Sequence, residues 1–115
     1  MKIKSRKETR RPVDISEWND ETKAYIKSLD IMERISFNDL FLQYHDRDAD
    51  KVERAEAGLS ICILCLIGED GEPLFTLDDL DELKAAAFEP IARVINAVLE
   101  SAGEPAKTGE PAKNP

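Results

Sequence analysis

The sequence is poor in the residues from which most catalytic and metal sites are built. Its 115 residues include one histidine, His45, two cysteines, Cys62 and Cys65, and only five glycines. A structural zinc site needs four ligands, which these three side chains alone do not supply. The sequence also contains no glycine-rich phosphate loop, no Ser/His/Asp set and no paired acids in an apolar context. We therefore predict a protein that is not an enzyme and that binds no metal or cofactor.

Two short patterns resemble metal-ligand sites, but we interpret the first as the acidic start of a helix and the second as core packing. Asp46, Asp48 and Asp50 alternate like the first ligands of a calcium loop, yet Lys51 and Ala57 replace its glycine and its bidentate glutamate. The second pattern is the pair of cysteines, which have the spacing of half a zinc site or of a redox dithiol.

The two cysteines lie in the apolar segment ICILCLI, residues 61–67. A thiol in such surroundings behaves as a small hydrophobic group, whereas a reactive thiol needs an electropositive and partly exposed setting. We predict that both cysteines pack in the core.

Long apolar runs and net positive charge are also missing. No run approaches the ~20 residues that span a bilayer, and no signal-peptide pattern is present, so we expect a soluble intracellular protein with reduced cysteines. The formal net charge of −8 and an aromatic content of 6% argue against nucleic-acid binding. Residues 1–11 differ, because six basic side chains and one acidic one give this segment a charge of +5.

The apolar pattern predicts a mainly α fold, a small helical domain with a short N-terminal β-hairpin packed against it. Alternation over residues 13–18 and 22–28, with a turn near residues 19–20, predicts the hairpin. Helix starts are indicated by Asp30, by Asp48 or Asp50, by Thr76 and by Pro90. Residues 61–67 are apolar on every side, which fits a buried helix or a buried strand. We favour a continuous helix that ends at Gly68.

Helical spacing also predicts which side chains face the core. In the first helix, which could break near Ser36, these are Ile31, Met32, Ile35 and Leu42, with Phe41 as a fifth candidate. Later helices contribute Val52, Ala55, Leu59, Cys62 and Leu66, then Leu77, Leu80, Leu83 and Ala87, and finally Ile91, Val94, Ile95, Val98 and Leu99. The first helix carries further bulk beyond one stripe, which we predict to form a partner-binding surface: Phe37, Leu40, Phe41 and Tyr44.

The ends of the chain are predicted to lie outside the packed domain. Residues 1–11 form a flexible basic arm, residues 12–102 form a single domain, and residues 103–115 form a disordered tail or linker. The tail repeats GEPAK at 103–107 and 109–113 and has no large apolar residue, so it has nothing to bury.

The order of these features resembles the tail assembly chaperones of long-tailed bacteriophages. An early Glu-Trp pair (Glu17-Trp18) precedes short helices, and a long apolar helix runs into the corner DGEPLFT, residues 70–76. An acidic Asp-Asp-Leu helix start and a closing amphipathic helix follow. The resemblance spans about residues 13–103 in pattern and residues 59–83 in recognisable sequence.

The resemblance implies a non-enzymatic chaperone that binds the tape-measure protein and helps to recruit tail tube subunits, the latter through a longer frameshifted form with a second domain. Such a protein works in the host bacterial cytoplasm, is absent from the mature virion, and could associate with itself. The negative charge and the short apolar runs of the chain predict no membrane and no nucleic acid as partner. Two other functions stay open at this stage: a small antitoxin-like regulator that uses its basic N-terminal arm, and an enzyme subunit with metal at Cys62 and Cys65.

Overall fold

The computed structural model describes Met1 and residues 10–101. The predicted arm therefore lies largely outside the described residues, and the predicted tail lies wholly outside them. The elements, in chain order, are β1 (Arg11–Val13), β2 (Ala24–Ile26), α1 (Ile31–Tyr44), α2 (Lys51–Cys65), β3 (Leu66–Ile67), a 3-10 turn (Leu77–Asp79), α3 (Leu80–Lys84) and α4 (Glu89–Ser101). The mainly α fold with a short N-terminal hairpin is confirmed.

The predicted hairpin exists, but its first strand lies earlier in the chain. β1 and β2 pair antiparallel, with Arg11 opposite Ile26 and Val13 opposite Ala24. Residues 14–18, which we predicted to extend this strand, instead turn around the buried Ile15, whose carbonyl accepts hydrogen bonds from two amides three and four residues later (2.8 and 3.0 Å). Residues 14–18 thus form a turn that buries Ile15, where a strand with alternating faces was expected.

The apolar segment 61–67 contains both of the structures that its composition allows. α2 ends at Cys65, not at Gly68, and the chain extends at once into β3. β3 adds to the sheet in the order β1-β2-β3, with Ile26 opposite Leu66. The amide of Lys27, which follows β2, donates to the Cys65 carbonyl (3.0 Å). This hydrogen bond satisfies a carbonyl at the end of α2 that has no partner within the helix.

A tight corner follows β3 and returns the chain beside it. The Gly68 amide donates to the Glu72 carbonyl (2.9 Å), and the Leu74 amide donates to the Leu66 carbonyl (3.2 Å). Gly71 has φ +84°, a backbone conformation that side chains other than glycine rarely adopt. The corner thus delivers the chain to the 3-10 turn, where Thr76 begins the capping box that the sequence predicts.

The helix starts follow their local signals closely. Asp30 caps α1 through a capping box with Glu33, and Asp50 caps α2. α1 runs unbroken to Tyr44, so the expected break near Ser36 is wrong. All five apolar positions predicted for α4 are buried: Ile91, Val94, Ile95, Val98 and Leu99.

Three helices meet at Gly58 in the middle of α2. A β-carbon at this position would lie 2.8 Å from Cε1 of Tyr44 in α1 and 3.0 Å from Cγ2 of Ile91 in α4. The absence of a side chain at residue 58 therefore permits the close approach of α1 and α4 to α2. This crossing determines which face of α1 is turned toward the core.

The loop between β1 and β2 is fastened to α4 by charged and aromatic groups. Arg93 forms a two-pronged hydrogen bond with the Glu17 carboxylate (2.6 Å each) and also donates to the Asp14 carbonyl (3.1 Å). These hydrogen bonds from Arg93 lower the pKa of Glu17. The Trp18 indole donates to the Ala87 carbonyl (2.6 Å), and its ring meets Phe75 edge-on at 5.7 Å. The Glu-Trp pair is thus a structural clamp between the loop and the C-terminal half of the domain.

Candidate protein-binding surface

The side chains predicted to bind a partner lie on the side of α1 that faces α2. Phe37 is 1% exposed and belongs to the core, and its ring stacks on Phe41 at 5.7 Å. Leu40, Phe41 and Tyr44 are half-buried and pack against that core. Phe37 therefore has no accessible surface to offer a partner in this conformation. A binding role for the other three remains a prediction.

The opposite face of α1 carries the exposed apolar side chains. Ile31, Met32, Ile35 and Leu42 have exposed fractions of 50–78%. Our prediction that these four face the core is therefore wrong. The helix has apolar residues on two sides, and the larger aromatic side packs on α2 near Gly58, which leaves the aliphatic side in solvent.

The geometry of the helix shows how distinct the two faces are. At about 100° per residue, Ile31, Ile35 and Leu42 fall within an arc of roughly 40°. Phe37 and Tyr44 lie about half a turn away from that arc. We call Ile31, Ile35 and Leu42 the outer stripe of α1. Ile31 and Ile35 are adjacent in it, and Leu42 follows two turns later, beyond the exposed polar residues Asn38 and Asp39. The core contacts of α1 are made elsewhere, and such exposed apolar side chains are typical of an interaction surface.

A second exposed apolar region lies between α2 and the start of α4. It is a groove of about 290 Å³ that includes Val52 and Phe88, both more than half exposed. Its edge is crossed by the ion pair between Glu56 and Lys84 (2.6 Å). Val52 was predicted to be buried, as were Ala55, Leu77 and Ala87, and all four are exposed. The short segment 85–88 leaves α2 partly uncovered at this end.

The two cysteines are buried, as the sequence predicts. Both are inaccessible to solvent and unpaired. Burial raises the pKa of Cys65 to about 12 and raises that of Cys62 still further. Among the described residues, no group of three or more His, Cys, Asp or Glu side chains is placed to hold a metal ion. The sequence spacing of the pair thus reflects one turn of a buried helix.

The burial of the cysteines has a measurable consequence. In the native protein at pH 8, we expect neither thiol to react with a chromogenic disulfide reagent within minutes, because the thiolate is the reactive form and its fraction is negligible. After unfolding in guanidinium chloride, two thiols per chain should react at once. Rapid labelling of the folded protein, or stoichiometric zinc in the purified protein, would contradict this packing and would support the enzyme-subunit alternative.

No helix within the described part of the chain is long and apolar enough to cross a membrane. No protein-family model and no curated protein matches the sequence. Among solved structures, the bacteriophage HK97 tail assembly chaperone is similar in fold, with a TM-score of 0.55. The match covers 85% of each chain at 14% sequence identity. The similarity therefore lies in the fold, and the matched protein is a chaperone and not an enzyme.

Proposed function

We propose that this protein is a tail assembly chaperone of a long-tailed phage or prophage. The observation that supports this function most strongly is the fold shared with the HK97 chaperone across 85% of the chain. In this role the protein binds the tape-measure protein in the host cytoplasm and leaves before the tail is complete. A longer frameshifted form of the protein would then recruit tail tube subunits.

The surface of the domain suits a protein that covers another chain. The outer stripe of α1 presents apolar side chains that the domain itself does not cover. A tape-measure protein is a long helical chain, and amphipathic helices bind through apolar side chains spaced along one face. The formal net charge of −8 would keep an assembly of many copies soluble. Binding thus needs no catalytic group and no cofactor.

Co-expression with a tape-measure protein tests this function. The gene for a very long, predominantly helical protein should lie next to the gene for this chain, and its product is the partner to use. We expect the partner to be mostly insoluble when expressed alone and to become soluble and co-purify when this chain is present. If the partner's solubility is unchanged and nothing co-purifies, the chaperone function is wrong. An adjacent toxin-like gene would instead support the regulator alternative.

A further inference from the structure

We propose, on the basis of the chaperone function above, that the outer stripe of α1 docks an amphipathic helix whose apolar line is flanked by lysine or arginine side chains. The stripe consists of Ile31, Ile35 and Leu42, all at least half exposed. The occupant is defined by this chemistry: apolar along one line, basic beside it.

The spacing of the stripe fits a helix as its occupant. Ile31 and Leu42 are eleven residues apart, so the line extends about 16 Å along α1, or three helical turns. A partner helix of similar length presents its own apolar side chains at intervals of three and four residues, which interleave with such a line. An extended peptide would need unpaired strand edges, and α1 offers none because its backbone groups bond within the helix.

The charge beside the stripe selects a basic partner. Asp39 is exposed and lies four residues after Ile35 and three before Leu42, so it is adjacent to both on the helix surface. Glu33 lies on the opposite face of α1 and pairs with Lys27 (2.5 Å). Arg34, on the other flank of the stripe, is half-buried, and its guanidinium lies over the Phe37 ring (5.3 Å). Over the whole described body, residues 10–101 contain ten basic and 21 acidic side chains, a formal net charge of −11. A lysine of the partner would be attracted by the Asp39 carboxylate at close range and by the net negative charge of the domain during approach.

The same charges disfavour a second copy of this chain on the stripe. Two bodies of equal negative charge would repel as they approach, and each would bring its own Asp39 to the contact. The groove near Val52 and Phe88 does not select a charge in this way, because Glu56 and Lys84 at its edge neutralise each other. Of the two exposed apolar surfaces, the outer stripe is therefore the one whose charge selects a particular kind of partner.

Two synthetic helical peptides test the proposal with the intact chain. Both carry the same three-turn leucine line, one flanked by lysines and the other by glutamates, and fluorescence anisotropy measures their binding at low salt. We expect the lysine peptide to bind the wild-type chain and the glutamate peptide to bind at least about tenfold more weakly. The double variant Ile35→Ser/Leu42→Ser should lose at least about tenfold in affinity for the lysine peptide. The control Leu77→Ser, at an equally exposed leucine outside α1, should retain wild-type binding.

A charge reversal tests the basic flank separately. Asp39→Lys should lower the affinity of the chain for the lysine peptide about fivefold and raise its affinity for the glutamate peptide by a similar factor. Asp81→Lys changes the net charge by the same amount at a side chain that is 97% exposed on α3, and it should alter both affinities by less than about twofold. Circular dichroism of each variant shows that the fold is intact. Equal effects of the two charge variants would overturn the assignment of Asp39.

The remaining outcomes separate this surface from the chaperone function. Binding of the tape-measure protein by wild type and by Ile35→Ser/Leu42→Ser alike would overturn the stripe and leave the function standing. Peptide binding as expected without tape-measure binding would support the stripe and overturn the function. Absence of peptide binding would overturn the stripe, and if wild-type dimers seen by sedimentation were lost in the double variant, the occupant would be a second copy.

Discussion

Phe37→Ala is expected to lower the free energy of unfolding by about 3–5 kcal/mol, the usual cost of removing a buried phenylalanine. The Phe37 ring is 1% exposed, stacks on Phe41 and lies within 5.3 Å of the Arg34 guanidinium. Truncation would leave a cavity between α1 and α2 that rigid helices do not close. Because small domains have a total stability of only 5–15 kcal/mol, such a loss takes much of the available margin.

Urea denaturation followed by circular dichroism measures this change. Leu42→Ala in the same helix is the matched control, since this leucine is 68% exposed and its truncation should cost less than about 0.5 kcal/mol. The ratio of the two losses in free energy of unfolding shows which face of α1 packs against the core. If Leu42→Ala were the more destabilising variant, the helix would be turned the other way, and Phe37 would again be a candidate for partner binding.

Ile61→Asp is expected to abolish folding, or to cost more than about 4 kcal/mol where folding survives. Ile61 is 0% exposed, and it lies on α2 among apolar side chains of the core cluster. A carboxylate there loses its hydration without a partner, so it either protonates or opens the structure. Leu64 lies in the same apolar segment of the sequence, but its side chain is half-buried at the edge of the core.

We therefore expect Ile61→Asp to lower stability more than Leu64→Asp does. Ile61→Asp should give an unfolded or aggregated chain in gel filtration and a loss of the cooperative thermal transition. Leu64→Asp should retain a transition at a lowered temperature, because its carboxylate still reaches water. Ile61→Val separates charge from volume, with an expected cost of about 0.5–1.5 kcal/mol. A cooperative melt for Ile61→Asp close to that of wild type would show that α2 is not the centre of the core.

Local signals predicted much of the fold because the groups that carry them interact within a few residues. Asp30 and Thr76 reach amides two or three positions away, and these bonds form whatever the rest of the chain does. α4 was assigned to its buried face because only one of its sides is apolar. The end of α2 was misplaced, since the carbonyl of Cys65 and the strand that follows are satisfied by β2, about forty residues earlier in sequence.

The sequence by itself determined the helical class, the helix starts and the burial of both cysteines. Only the tertiary structure decided which side of α1 is free. Periodicity identifies apolar faces but does not rank them when a helix has two. The choice depended on packing across the chain: the bare backbone at Gly58 accepts Tyr44, and Phe37 fills the space beside α2. Ile31, Ile35 and Leu42 were left outside for that reason, and the proposed binding surface exists because of it.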